Sequence, residues 1–447
     1  MQSQQQVLTP EQKLQERLRR WKYPEGIVFA SPEVEQGYQR RVQMLIDAFQ
    51  LRKPERVPVC PMAGSFPFVY AGITLQDAMY DHAKLGDSLQ KYHADFQPDI
   101  LGGTLLFGLG KVLEILDYKL YHWPGHGVPA NRPYQCVEDE YMKADEYDQF
   151  LNDPSDYFMR SYLPRIFGAL NPWRRMAPLT DILEIPSAAM FAIPFGLAEM
   201  QETCKRLLEA GKAAVDWVQA GAAITRRLTA TLGLPGVIGG FTKAPFDCIG
   251  DTMRGTRAIM LDIFRQPEKV LAAAERFVPL AIETGVRSAN ASGCPVVMMP
   301  LHKGADAFMS RKLFQKFYWP TLKAVMLGLI QEGVIPYLFV EGSYSQRLDL
   351  IHDPEIPAGK TLWIFDRTDL REVKKHFTGW ACFGGNVPVS MMIAATPDEV
   401  RTHVKNLIHD VGQDGGYVLS TGAPIDDGRA ENLRALIEAG KEYGVYR

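Results

Sequence analysis

Val334-Ile335-Pro336-Tyr337-Leu338-Phe339-Val340-Glu341-Gly342-Ser343-Tyr344 is an apolar run that ends abruptly in a carboxylate, a glycine and two hydroxyls. A strand buried on both faces reads as a continuous hydrophobic run, without the alternation of a half-exposed one. In α/β barrels, chemistry sits where such strands end. The run is therefore read as a buried parallel strand whose tip, at Glu341, opens into a site. An ionisable group in that position must be exposed, paired or metal-bound.

Working outward, strands are also expected at residues 57–60, 99–102, 237–241, 295–299, 361–365, 380–383 and 417–420, with helical stretches such as Ser310 to Glu332 and Thr396 to Gly412 between them. Eight strands alternating with helices predict an α/β protein of the (β/α)8 TIM-barrel type, with a doubly wound open sheet as the runner-up. Residues 1–50 are expected to form an N-terminal helical extension, in which Ser31-Pro32-Glu33 gives a capped start with proline in the first turn. The barrel takes up residues 51–447. Between about 103 and 195 the alternation gives way to segments rich in Pro, Tyr, Trp and Asp. An insertion after the second strand, with some helix of its own, is expected there to cover the mouth of the site.

Composition narrows the function. With 447 residues, 46% hydrophobic and 23% charged, and a net charge of -3, the chain is an ordinary globular protein with no basic run for a nucleic-acid backbone. No secretory signal is read at the amino terminus, and no apolar stretch is long enough to span a bilayer. A cytoplasmic protein with neither nucleic acid nor membrane as partner is expected. The six cysteines include no Cys-X-X-Cys pair, which argues against a zinc ribbon, an iron-sulfur site or a disulfide framework. Gly108-Leu109-Gly110-Lys111 lacks the spacing of a phosphate loop.

Several motifs carry a family resemblance. They are Ala244-Pro245-Phe246, the run Leu261-Asp262-Ile263-Phe264-Arg265-Gln266-Pro267-Glu268, Gly385-Asn386-Val387-Pro388, Ala395-Thr396-Pro397-Asp398-Glu399, and Gly415-Gly416-Tyr417-Val418-Leu419-Ser420-Thr421-Gly422. Through them the chain resembles the uroporphyrinogen decarboxylase superfamily, which also holds the cobalamin-dependent methyltransferases. The resemblance covers about 235–447 well, the first strand loosely, and the insertion not at all.

Two departures from the family pattern sort its members. The decarboxylase proper has Met-Arg-Gln-Ala-Gly-Arg after its first strand, where this chain has Met62-Ala63-Gly64-Ser65-Phe66. Without those guanidinium forks, a porphyrinogen with several carboxylates loses its bidentate partners. The thiol-activating methyltransferases carry His-X-Cys at the strand end that reads Phe339-Val340-Glu341 here, and a later Cys where Ala423 stands. The resemblance then implies a harder metal set of Glu341, Asp366 and His302, suited to zinc with an open position and tolerant of other divalent ions.

Family members that demethylate aryl methyl ethers also lack the His-X-Cys pair. The resemblance therefore implies a methyltransferase that moves a methyl group from a methoxylated, aromatic small molecule to the Co(I) centre of a corrinoid protein, with cobalamin carried by that partner and a metal acting as Lewis acid on the ether oxygen. Glu341 and Tyr344 are the expected catalytic residues. Phe66, Phe68 and Phe246, with Tyr344, are expected to wall the substrate, and Asn386 to contact it. Bland readings stand beside these: Asp366 as a helix cap or the partner of Arg367, His302 as a loop histidine, and each Phe as core. Glu355 and His376 form a second acid and imidazole set, placed off the catalytic face, and His122 and His126 are read as surface residues of the insertion. A decarboxylase or lyase of a small acid, and a non-catalytic binding protein, are the competing functions.

Overall fold

The computed structural model describes residues 8–102, 107–181 and 184–446. Six parallel strands, Gly240–Phe241, Val296–Leu301, Ile335–Val340, Leu362–Phe365, Cys382–Val387 and Tyr417–Thr421, lie side by side in sequence order. Two further staves close the ring. Cys60 N donates to Leu419 O at 2.8 Å, Asp99 N to Val59 O at 3.0 Å, and Leu101 N to Pro235 O at 2.8 Å. The eight expected staves are thus all present, and the barrel rather than the open sheet forms. The first two pair only through single bridges, at Val59 with Leu419 and Leu101 with Gly236. Pro58, Pro61 and Pro98 remove the amide donors that a longer ladder would need. The Asp99 side chain substitutes for one missing contact by accepting from Val59 N at 2.7 Å.

Alternation along the strands sorts the core into two layers. Val296, Met298, Ile335, Tyr337, Phe339, Leu362, Ile364 and Cys382 share one cluster with Leu14, Leu18, Trp21, Val42 and Phe49 of helices Pro10–Lys22 and Pro32–Phe49. These face the barrel axis, and the N-terminal helices plug its lower end. Val297, Met299, Leu338, Val340, Trp363 and Phe365 belong to the other cluster, against the outer helices. Every residue of Ile335–Val340 is buried, as the opening run requires. Leu338→Ala, on the outward face of that strand, should cost about 2–5 kcal/mol, read as a lowered denaturation midpoint.

The insertion contains a small three-stranded sheet, Tyr121–Pro124, Gly127–Val128 and Gln135–Cys136, followed by short helices. It leads into helix Ile185–Gly196 and then a 35-residue helix, Ala198–Leu232, which delivers the chain to the third stave. Among the described residues, no helix is long and apolar enough to cross a membrane.

Candidate active site

Register puts the expected acids and imidazole in one layer. Pro300 pairs with Phe339 and Phe339 with Ile364, so these three residues are level across neighbouring staves. Phe339 and Ile364 point to the axis. Two residues further along each stave, past an outward neighbour, stand His302, Glu341 and Asp366. Gly342, with φ 78°, lets the chain turn away immediately after Glu341 in a conformation that favours glycine. Asn386 lies at the corresponding height on the next stave, paired with Ser420.

At the centre is a line of three groups. His302 Nδ1 lies 2.5 Å from Asp251 Oδ2, and His302 Nε2 lies 3.4 Å from Glu341 Oε1. Burial alone pushes the imidazole towards its neutral form, but the two carboxylates outweigh it and raise its pKa to about 10. His302 is therefore an imidazolium at neutral pH. Glu341 is 45% exposed, so the line runs from a buried anchor out to the open mouth. Asp251 also accepts Lys243 Nζ at 2.7 Å and Lys303 Nζ at 3.2 Å. Burial would raise the Asp251 carboxyl, yet His302 and the two lysines hold it well below the usual carboxylate range.

A second carboxylate fixes the loop that carries His302. Asp247, fully buried, accepts from His302 N at 3.0 Å, Lys303 N at 2.9 Å and the Tyr318 hydroxyl at 2.6 Å. Burial and the charge of Asp251 keep Asp247 above the ordinary carboxylate range. Asp247 and Asp251 are four residues apart on helix Pro245–Thr252, which places them on one face. That spacing, directly after Ala244-Pro245-Phe246, is the signal in the sequence for both.

Tyr344 does not reach the mouth. It is fully buried, and its hydroxyl has no hydrogen-bond partner among the described residues. The chain at Gly304 runs directly over it: a Cβ there would come within 2.1 Å of the Tyr344 oxygen. The expected proton donor is thus a packing residue beneath the loop that presents His302. Gly304→Ala should reduce both stability and activity by displacing that loop. Tyr344→Phe in the same background should restore part of each, because it removes the atom that clashes, and thermal melts and turnover of the two variants check this.

The three phenylalanines expected at the substrate wall are core instead. Phe66 packs among Tyr70, Tyr92 and Phe96, Phe68 against Phe107, and Phe246 against Tyr318, and none is more than 2% exposed. Large apolar side chains near strand ends were drawn into the layer between barrel and helices. Asn386 donates to Thr368 O at 2.7 Å, tying its stave to the loop after Asp366. Asp366 accepts from Gly342 N at 3.1 Å, and Asp369 rather than Asp366 caps the helix Leu370–Phe377. Burial raises the Asp366 pKa, with the Glu341 charge adding to it and the Gly342 amide and Arg367 opposing.

His302 and Glu341 meet, but among the described residues no three His, Cys, Asp or Glu side chains are grouped to hold a metal ion. His302, Glu341 and Asp366 therefore do not make the expected ligand set in this geometry. Glu355 pairs with Lys323 at 3.3 Å and His376 sits in the last turn of Leu370–Phe377, away from the line, while His126 stacks on Trp123.

The insertion supplies aromatics that the sequence reading did not single out. Desolvation raises the Tyr134 hydroxyl, with Asp426 and Glu341 adding, although 47% of the residue stays exposed. Tyr121 and Cys136 likewise feel Lys243 and Asp251. Two surface clefts, of about 400 Å3 beside Lys22 and Asp47 and about 660 Å3 beside Lys119 and Arg174, touch none of these groups. Both are shallow and walled by solvated side chains, and the converging charges mark the site better.

A methyltransferase from Methanosarcina mazei has the same fold: TM-score 0.60 over 91% of this chain and 98% of that one, at 16% sequence identity. No curated protein matches the chain significantly. The family described as Uroporphyrinogen decarboxylase (URO-D) matches residues 201–443, from the start of the long helix to the last barrel helix, a span that contains Asp251, His302 and Glu341. With more than half of its length matched and a closed eight-stave barrel beneath, the chain belongs to the uroporphyrinogen decarboxylase family.

Proposed function

We propose that the protein is a methyltransferase that moves the methyl group of a methoxylated aromatic compound to the Co(I) centre of a corrinoid protein. The observation that carries the reading is the Asp251–His302–Glu341 line at the barrel mouth. Co(I) in the acceptor supplies the nucleophile for the methyl carbon. As the methyl–oxygen bond breaks, its electron pair goes to the aryl oxygen, and the proton on His302 Nε2 neutralises the phenolate that forms. Asp251 holds the imidazole in orientation and keeps it charged until that transfer.

The two carboxylates raise the His302 pKa, so a proton is present on the ring for a phenolate leaving group. Glu341, half-exposed at the tip, fixes the Nε2 side of the ring and hands it to the substrate oxygen. Tyr134 on the insertion, 47% exposed, is the aromatic side chain assigned to the substrate in this reading. The likeness to a Methanosarcina methyltransferase and the absence of arginines after the first stave both support this branch over porphyrinogen decarboxylation.

His302, Glu341 and Asp366 are not grouped as a ligand set among the described residues, so no step is assigned to the divalent ion that the resemblance implies. Product analysis tests the reading. Incubation with a methoxyarene and a Co(I) corrinoid protein should yield the demethylated phenol. Carbon dioxide from a carboxylated arene, with no phenol from any methoxyarene, would assign the site to a decarboxylase instead.

A further inference from the structure

The surroundings of the short third stave, Gly240–Phe241, fix which way its side chains point. A Cβ at Gly240 would meet Ser288 of the outer helix Pro267–Ser292, and Thr242 Oγ1 donates to Ala281 O of that helix at 2.7 Å. Both positions face outward. Phe241, between them, therefore faces the barrel axis, and its register partner Met298 belongs to the axial cluster.

Phe241 is nevertheless 38% exposed, whereas Met298 and Tyr337, next to it in register, are 8% and 5% exposed. Solvent does not reach it from below. Trp21 Nε1 of the first helix donates to Gly236 O at 3.0 Å, just before this stave, where the N-terminal helices plug the axis. The bare part of the ring thus faces the mouth. An inward phenylalanine that stays open lines a cavity, whereas Phe66, Phe68 and Phe246 are sealed in the layer behind.

The open ring is also close to the chemistry. Lys243, two residues further along, is inward again, and its Nζ reaches Asp251 Oδ2 at 2.7 Å, the same oxygen that lies 2.5 Å from His302 Nδ1. The step from Phe241 to Lys243 is roughly 6.6 Å along the stave. Phe241 therefore lies beneath the proton donor by a distance comparable with the length of an aryl ether.

We infer that Phe241 is the bed on which the aromatic ring of the substrate packs, and so a residue that selects a flat aryl donor. This rests on the reading of an aryl ether as the methyl donor. Two rings in offset or edge-on contact attract beyond the area that they bury, and a saturated ring of the same size has no such face to offer.

Calorimetric binding of anisole and of cyclohexyl methyl ether, its saturated counterpart, to the full chain and to Phe241→Ala and Phe241→Leu tests this. The wild type should bind anisole more tightly than the saturated ether. Phe241→Leu should lose most of that preference, and Phe241→Ala should bind anisole roughly tenfold more weakly. Leucine keeps most of the apolar volume, so a lost preference at the wild-type melting temperature reads the missing ring and not a disturbed stave. The kcat/KM for methyl transfer from anisole to a Co(I) corrinoid protein should fall with the binding. Equal binding of anisole by the wild type and Phe241→Ala overturns the inference, as does a wild type that binds neither ether or does not distinguish them. Binding that depends on Phe241 without methyl transfer from any methoxyarene upholds the ring bed and overturns the proposed reaction instead.

Discussion

Replacing His302 with Gln should slow methyl transfer by roughly 10²–10⁴-fold, the range for loss of a positioned general acid. Glutamine keeps a side-chain hydrogen-bond donor but has no transferable proton, so the leaving phenolate departs uncompensated. The loss should therefore grow with the basicity of the leaving phenol. Electron-poor aryl ethers, whose phenolates need no proton, should retain more of their rate than electron-rich ones. Equal losses across such a series would remove proton donation from the account of His302.

Asp251→Asn should have the second largest effect, and it should appear in stability as well as in rate. The asparagine leaves His302, Lys243 and Lys303 gathered around a neutral amide, with both lysines mostly buried. Breaking a buried pair in this way costs roughly 3–5 kcal/mol. It also removes one of the two carboxylates that hold the imidazole charged, so the alkaline limb of the pH–rate profile should move to lower pH.

The wild type makes its own pH prediction. The folded-state pKa of His302 is raised to about 10, above the ordinary imidazole value of 6.5. Its contribution to stability is therefore full below about pH 6.5 and lost as the pH rises through about 10. Thermal melts across that window should show the wild type losing its advantage over His302→Gln as the pH climbs.

The sequence made the barrel legible because buried parallel staves read as uninterrupted apolar runs, and because the tip residues Glu341, Asp366 and His302 break those runs in polar character. Register then put all three in one layer, which no local pattern could specify. What pairs with His302 was hidden by distance: Asp251 is 51 residues earlier, on a helix, and only the closed barrel brings them together. The aromatic wall was misread because a phenylalanine near a strand end has the same local sequence whether it lines a cavity or fills the layer behind it. Tyr344 was misread for a related reason, since a different segment, through Gly304, covers it. The two proline-bearing staves were read correctly in place, although proline cut their ladders to single bridges.

Exchange of thiolates for oxygen and imidazole at positions matched to relatives specifies residue types alone. Geometry asks in addition that the three groups converge, and here His302 is turned between Asp251 and Glu341 while Asp366 accepts from the Gly342 amide.

In the proposed reaction, Co(I) takes the methyl group of an aryl ether while the Asp251–His302–Glu341 line supplies the proton to the leaving oxygen. The most direct measurement is the absorbance of a Co(I) corrinoid protein mixed with this protein and a methoxyarene. The Co(I) spectrum should convert to that of methyl-Co(III) with the wild type, and most of that rate should be lost with Glu341→Gln at unchanged melting temperature. Conversion as fast with Glu341→Gln as with the wild type, or none with any methoxyarene, would contradict it.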